Sequence, residues 1–213
     1  MVVPALRLHG VGKLFGEFRA LDAIEMTVAA GTIHSILGEN GAGKTTLMNI
    51  LYGLYQPDEG EVEVFGQTVS IPSPRAALDH GIGMIHQHFM LVDTLSVVEN
   101  IILGLPGQGM RLSLDEHSSK IDALSRRYGF DVNLHAPVWT LPMGMRQRVE
   151  ILKALYREAR IIIFDEPTSI LAPQEVDGLL RGLRRLREEG KTVVLITHKL
   201  EEVAAVADRI TVM

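Results

Sequence analysis

Gly38-Glu-Asn-Gly-Ala-Gly-Lys-Thr45 is the stretch whose reading decides the fold class. The short apolar run Thr32-Ile-His-Ser-Ile-Leu37 precedes it and reads as a strand. Thr46-Leu-Met-Asn-Ile-Leu-Tyr52 follows it and reads as a helix, which Gly53 ends. Gly38, Gly41 and Gly43 let the backbone turn tightly and aim its N–H groups inward, with Glu39, Asn40 and Ala42 completing the loop and Thr46 opening the helix. The positive end of that helix adds to the attraction for an anion. At this spacing Lys44 is expected to reach the β- and γ-phosphates of a nucleotide, and the Thr45 hydroxyl to bind Mg²⁺. Average residue usage makes a chance match in a chain this long roughly a one-in-a-hundred event. A glycine-rich turn with a surface lysine is the plainer reading, and the strand before and helix after argue against it.

Working outward, Leu6 to Val28 alternates loosely around Gly10, Gly12 and Gly16 and reads as short strands with turns. Pro57, Asp58 and Gly60 make a turn into the alternating strand Glu61-Val-Glu-Val-Phe65. Ser73-Pro74 reads as a helix cap with proline at the first helical position. Gly83-Met-Ile-His86 is a further short strand. From Thr94 to Ala136 the pattern turns helical, broken by the glycine-rich stretch Gly104 to Gly109. Met143 to Tyr156 reads as a helix before the strand Ile161-Ile-Ile-Phe164, and Pro173 to Glu189 as an amphipathic helix before the strand Thr192-Val-Val-Leu-Ile196. Leu200 to Ala207 reads as a last helix, and Ile210-Thr-Val-Met213 opens another strand. Strands alternating with helices predict an α/β core with a parallel sheet, and the helical stretch at about 94–142 predicts an inserted lobe.

Composition narrows the function classes. The chain has 213 residues, 46% of them hydrophobic, enough for one sizeable domain or one with an insertion. Its net charge of -5 disfavours nucleic acid as a partner, since that binding leans on a basic footprint. Without cysteine it can hold no disulfide, thiolate metal site or cysteine nucleophile. Met1-Val-Val-Pro-Ala lacks the basic start and apolar core of a signal peptide. No apolar run approaches the ~20 residues that cross a bilayer.

Ile161-Ile-Ile-Phe-Asp-Glu166 delivers Asp165 at the C-terminal end of a buried strand, where α/β proteins place ligands. Asp165 is expected to hold Mg²⁺ and Glu166 to polarise an attacking water. Alone, such a run passes equally well as a strand ended by acids for solubility; beside the phosphate loop it does not. One helix ahead of it lies Leu141-Pro-Met-Gly-Met-Arg-Gln-Arg-Val-Glu150. It resembles the signature of ABC ATPases, usually Leu-Ser-Gly-Gly-Gln followed by Arg-Gln-Arg. Leu141, Gly144 and Arg146-Gln147-Arg148 match it, whereas Pro142, Met143 and Met145 depart.

The resemblance covers nearly the whole chain, 1–213, and implies a P-loop NTPase core with a parallel sheet, an N-terminal antiparallel β subdomain and an inserted α-helical subdomain. It implies ATP and Mg²⁺ as cofactors. Gln87 falls at the Q-loop position, which touches Mg²⁺ and the transporter; His198 matches the switch histidine on the γ-phosphate; Phe15 matches the aromatic that stacks on adenine. Catalysis would then rest on Glu166, His198, Lys44 and Gln87, and metal binding on Thr45, Gln87 and Asp165. His86 and His88 flank Gln87 and read as ordinary. Arg181, Arg184, Arg185 and Arg187 read as a solvated helix face. The wording Ile-Leu-Ala-Pro-Gln-Glu175 and His-Lys-Leu-Glu-Glu202 is similar to the first ATPase half of simple-sugar and nucleoside importers, in which two halves are fused. That likeness implies a second ATPase half, transmembrane permease subunits and, indirectly, a solute-binding protein as partners, no nucleic acid, and a peripheral place on the cytoplasmic face of the cell (inner) membrane. Since the chain stops at Met213 inside an expected strand, it reads as truncated.

Two departures matter together. Pro142 stands for the signature serine, and Ala172 stands where the D-loop, after Ser169-Ile-Leu, normally ends in aspartate. In ABC dimers both elements act on the partner's nucleotide. The residues that act on the chain's own nucleotide are in place, so the resemblance implies an asymmetric pair of sites. Three alternatives stand beside transport, one of them a non-catalytic regulatory module, against which the retained Glu166 argues. A soluble ABC protein of DNA repair or translation would carry long insertions, coiled coils or basic arms. A different P-loop enzyme, such as a small-molecule kinase, would lack the signature, Q-loop and switch histidine together.

Overall fold

The computed structural model describes residues 3–105 and 114–213. Leu6–Phe15 (β1) and Phe18–Val28 (β2) form a long antiparallel hairpin, with Leu6 opposite Val28 and Phe15 opposite Phe18. The several short strands expected from the three glycines are thus two long ones. Register shifts between Leu8 and Leu14 absorb the irregular residues, Gly10 among them at φ 59°. Glu59–Val64 (β4) pairs on the other side of β1, and Gln67–Val69 (β5) completes the order β2-β1-β4-β5. Sequence reading missed β5, because its residues are mostly polar and solvent-facing and only three long.

The second sheet is parallel. Ile33–Leu37 (β3), Ile82–Ile85 (β6), Ile161–Asp165 (β7), Thr192–Thr197 (β8) and Arg209–Val212 (β9) take the order β6-β7-β8-β3-β9. Their near-continuous apolar runs are what a sheet covered on both faces requires. Alternation sorts the two faces. Ile161, Ile163, Val194 and Ile196 pack with the antiparallel sheet and with Lys44–Leu51 (α1). Ile162, Phe164, Val193 and Leu195 pack with the helices on the other side.

Those helices are Val97–Ile102 (α3), Leu114–Tyr128 (α4), Met143–Tyr156 (α5) and Pro173–Glu188 (α6). Pro74–Asp79 (α2) and Leu200–Val206 (α7) complete the set among the described residues. Ser73 caps α2 by accepting the Ala76 N–H at 3.2 Å, with Pro74 behind it as the sequence predicts. Ser96 and Glu99 cap α3 reciprocally: the Ser96 N–H donates to Glu99 at 2.8 Å, and the Glu99 N–H to the Ser96 hydroxyl at 3.4 Å. The glycine-rich break expected at Gly104 to Gly109 lies largely outside the described residues. Ile101, Ile102, Ile121 and Val138 join the same buried cluster as Ile162 and Phe164. The helical stretch expected as a lobe therefore shares its core with the sheet.

One shared core predicts one cooperative unfolding transition. Ile101→Ala in α3 and Ile162→Ala in β7 are each expected to cost about 2–5 kcal/mol. Denaturant unfolding followed by fluorescence and by circular dichroism should give coincident curves for both variants. A separate early transition in Ile101→Ala alone would contradict the shared core.

Candidate nucleotide site

The C-terminal ends of β3, β6 and β7 meet at one cleft of about 560 Å³. Asn40, Gly41, Gly43, Lys44, Thr45, Thr46, Gln87, Asp165 and Glu166 line it, joined by Phe18 and Ala20 of β2. Three separate sequence signals, 38–46, 87 and 165–166, thus converge on one place.

The loop between β3 and α1 is shaped by glycine. Gly41 and Gly43 adopt φ 88° and 91°, which other residues rarely tolerate. At Gly43 a Cβ would also stand 2.7 Å from the Ala20 carbonyl oxygen. The first i→i−4 bond runs from the Leu47 N–H to the Gly43 carbonyl at 2.9 Å. The amides of Lys44, Thr45 and Thr46 precede it and are first-turn donors outside the helix ladder. Lys44 is buried, and its ammonium donates to the Gly38 and Glu39 carbonyls at 2.7 and 2.8 Å. An ammonium has three donors, so one remains for a ligand oxygen.

Asp165 ends β7, and Glu166 follows with φ 45°, a left-handed conformation that costs a non-glycine residue energy. That turn is held by the Glu166 N–H donating to the Ile196 carbonyl at 3.0 Å and by Ser169, whose N–H and hydroxyl donate to the Glu166 carbonyl at 3.1 and 2.9 Å. The Glu166 carboxylate lies 3.1 Å from His198 Nδ1. Burial raises the Asp165 carboxyl above its ordinary range, and the neighbouring Glu166 charge raises it further, while Lys44 pulls it down.

The remaining expected residues sit elsewhere or border the cleft less directly. Phe15 does not line the cleft: its ring packs edge-on against Tyr55 at 5.3 Å, and the Lys13 ammonium lies 5.8 Å from its centroid. Phe18, across the hairpin turn, is the aromatic on the cleft and is 66% exposed. Phe15 and Phe18 pair across a two-residue turn, so an aromatic stands on each side of it. His86 is half-buried against Tyr52, and His88 is exposed. Among the described residues no cluster of three or more His, Cys, Asp or Glu could hold a metal.

Pro142, Gly144 and Met145 lie in a different groove, between α5 and α6. Proline at the N-cap of α5 offers no side-chain acceptor. Glu175 of α6 serves instead. Its carboxylate accepts the Gly144 N–H at 3.0 Å and the Ala172 N–H at 3.1 Å, joining the start of α5 to the start of α6. Gln147, buried in α5, donates to the Pro167 carbonyl at 2.8 Å, and so fixes α5 to the loop after Glu166. Neither tie was foreseen from sequence, where Gln147 belongs to the Arg-Gln-Arg run of the signature and Glu175 to the wording shared with importers.

The ABC transporter family model matches residues 21–169. The chain belongs to the ABC transporter family. It is 53% identical over 209 residues to the nucleoside import ATP-binding protein NupA of Lactococcus lactis subsp. cremoris, covering 98% of this chain and 41% of that protein. It is 46% identical to the glucose import ATP-binding protein TsgD13 of Haloferax volcanii, covering 99% of this chain and 44% of that one. The cassette therefore spans about two fifths of the length of these curated relatives. Among solved structures it superposes with TM-score 0.89 on the ADP conformation of MJ1267, an ATP-binding cassette of an ABC transporter, at 27% identity over 99% of this chain and 87% of that one. A nucleotide-free ATP-binding cassette from an ABC transporter gives TM-score 0.87, also at 27% identity, with the same shares of the two chains. The expected family and fold class are thus both found.

The Asp165 geometry predicts a trade between stability and binding. An acid whose folded value is raised holds its proton more tightly folded than unfolded. Its contribution is full below the ordinary carboxylate range and is lost as pH rises through the raised value. Asp165→Asn removes that loss. In the nucleotide-free chain the variant should melt above its parent at pH 7, with the gap shrinking toward about pH 4. A variant less stable than its parent at pH 7 would contradict the reading.

Proposed function

We propose that the cassette binds Mg-ATP in this cleft, hydrolyses it, and thereby powers import of a small polar solute such as a sugar or nucleoside. The observation that carries the reading is the convergence of Lys44, Thr45, Gln87, Asp165 and Glu166 on one cleft at the ends of parallel strands. The names of the relatives, nucleoside and glucose import ATP-binding proteins, support the importer reading and its membrane-permease partners. A second ATPase half and a solute-binding protein complete the proposed assembly on the cytoplasmic face of the membrane. Among the described residues no helix is long and apolar enough to cross a membrane, so the crossing is assigned to the permease. The helical stretch 94–142 is proposed as the inserted subdomain that meets it.

In this reading the loop amides and Lys44 cradle the β- and γ-phosphates. The Thr45 hydroxyl, the Gln87 amide oxygen and the Asp165 carboxylate are hard oxygen donors from residues lining the cleft, which suits Mg²⁺ held jointly by protein and phosphate. A cation there also offsets the burial and the neighbouring Glu166 charge that disfavour ionised Asp165. When bound, the metal neutralises charge on the β- and γ-phosphate oxygens. Glu166 orients a water in line with the γ-phosphorus. The water oxygen bonds to phosphorus as the bond to the β,γ-bridging oxygen breaks, giving ADP and phosphate, and Glu166 receives the water proton. With Nδ1 directed at the Glu166 carboxylate, Nε2 of His198 is left for the γ-phosphate. Phe18 and Phe15 are the two candidates for the adenine ring.

Lys44→Ala should cut ATP affinity more than tenfold, since a buried cation paired to phosphate is removed. Glu166→Gln should retain ATP but lose more than tenfold in steady-state phosphate release, because the amide accepts no proton. Calorimetric titration and phosphate release measure the two, and near-normal values in both variants would contradict the site.

The exposed Pro142 and Ala172 support the asymmetric pair, in which this chain's own ATP turns over and the nucleotide facing its signature is held weakly. Proline there brings neither the hydroxyl nor the N–H of serine. Pro142→Ser with Ala172→Asp, placed in a Glu166→Gln background, should increase ATP-dependent dimerisation by light scattering. Dimerisation no better than that of the Glu166→Gln parent would make the two departures neutral.

A further inference from the structure

Glu202 is 5% exposed, a carboxylate buried in the first turn of α7, and the phosphate chemistry leaves it without a role. An acid at this third helical position ordinarily turns back to the N–H that opens its own helix. Here the N–H of Lys199, the residue before α7, donates instead to the Thr197 hydroxyl at 3.0 Å. The Glu202 carboxylate reaches outward. One oxygen accepts the Thr168 hydroxyl, and the other accepts the Thr197 hydroxyl at 3.0 Å. Lys199 Nζ lies 3.3 Å from the first oxygen and donates to Thr168 Oγ1 at 3.0 Å, so the charge is paired. A buried carboxylate is tolerated when hydrogen-bonded and paired in this way.

The two threonines belong to different loops. Thr168 lies two residues after Glu166, and Thr197 ends β8 immediately before His198. Glu166 Oε1 and His198 Nδ1 stand 3.1 Å apart at the mouths of those loops. A single carboxylate therefore grips both loops one or two residues from the pair, one oxygen to each. Glu166 sits at φ 45°, a conformation that persists only when its surroundings enforce it. Gln147 holds the Pro167 carbonyl in the same loop, so the loop after β7 is fixed by Gln147 from α5 and by Glu202 from α7.

We propose that Glu202 is a positioning residue for hydrolysis, setting the separation of Glu166 and His198 without touching nucleotide. The proposal rests on the reading of Glu166 as the residue that orients water. It separates Glu202 from an ordinary helix-start acid, whose loss would weaken α7 and affect binding and turnover alike.

The test uses the full-length protein assembled with its membrane subunits and compares Glu202→Ala, Glu202→Gln, Thr197→Val and Glu166→Gln. Loss of positioning is expected to lower kcat for ATP roughly tenfold in Glu202→Ala, with KM and the equilibrium ATP affinity within about twofold of the parent. Thr197→Val keeps side-chain volume while cutting the link from Glu202 to the histidine loop, along with the acceptor of the Lys199 N–H, so it should lower kcat in the same direction even if Glu202→Ala folds poorly. Glu202→Gln should recover most of kcat, because its amide oxygen accepts and the threonine hydroxyls can reverse their roles. Normal kcat in Glu202→Ala and Thr197→Val beside an inactive Glu166→Gln would overturn the proposal alone. Parallel losses of affinity and turnover would also overturn it, making Glu202 a core residue. Near-normal turnover in Glu166→Gln would overturn the underlying reading and the proposal with it.

Discussion

Parallel pairing of β3, β7 and β8 is the constraint on which the rest depends. Leu37 is in register with Thr197, and Asp165 with Ile196. This alignment brings the phosphate loop, the Asp165-Glu166 turn and His198 out at one edge of one sheet. Slippage by one residue would turn the buried alternation of every strand to the wrong face. The apolar runs of β7 and β8 are buried on both faces, and the register in which they pack sets the site.

Around that edge, polar ties connect elements that chemistry alone would leave apart. Glu175 joins the starts of α5 and α6, Gln147 joins α5 to the loop after β7, and Glu202 joins that loop to the one after β8. The first two sit on segments that face a partner's nucleotide in the proposed assembly, and the third sits on the chain's own site. The bonds of Gln147 and Glu202 are buried, so a shift at one of the segments they join would be passed on to the next, because packed interiors deform little.

The phosphate loop and the strand ending at Asp165 were legible because their chemistry demands fixed spacing: glycines where φ is positive, a lysine at the helix start, acids at a strand end. Helix α5 was read at Met143 to Tyr156, the limits it has. The aromatic on the cleft was less legible. Phe15 and Phe18 flank a two-residue turn, and which ring meets the cleft depends on how Tyr55 and Lys13 engage Phe15, contacts that no local pattern encodes. β5 was missed because a short exposed edge strand carries no apolar alternation. The contacts of Glu175 and Glu202 were invisible for a related reason: only tertiary placement directs each carboxylate to another element.

In the proposed site this chain supplies the hydrolytic half from its own residues. Trapping tests it most directly. The full-length assembly is incubated with Mg²⁺, orthovanadate and a photoreactive ATP analogue, irradiated, and the labelled peptides are mapped. Stable trapping requires a site that reaches the geometry of the transferring phosphoryl group. Label is expected on peptides bordering the cleft formed by Phe18, Lys44 and Asp165 of this chain. Label confined to the other ATPase half, with none on this chain, would contradict it.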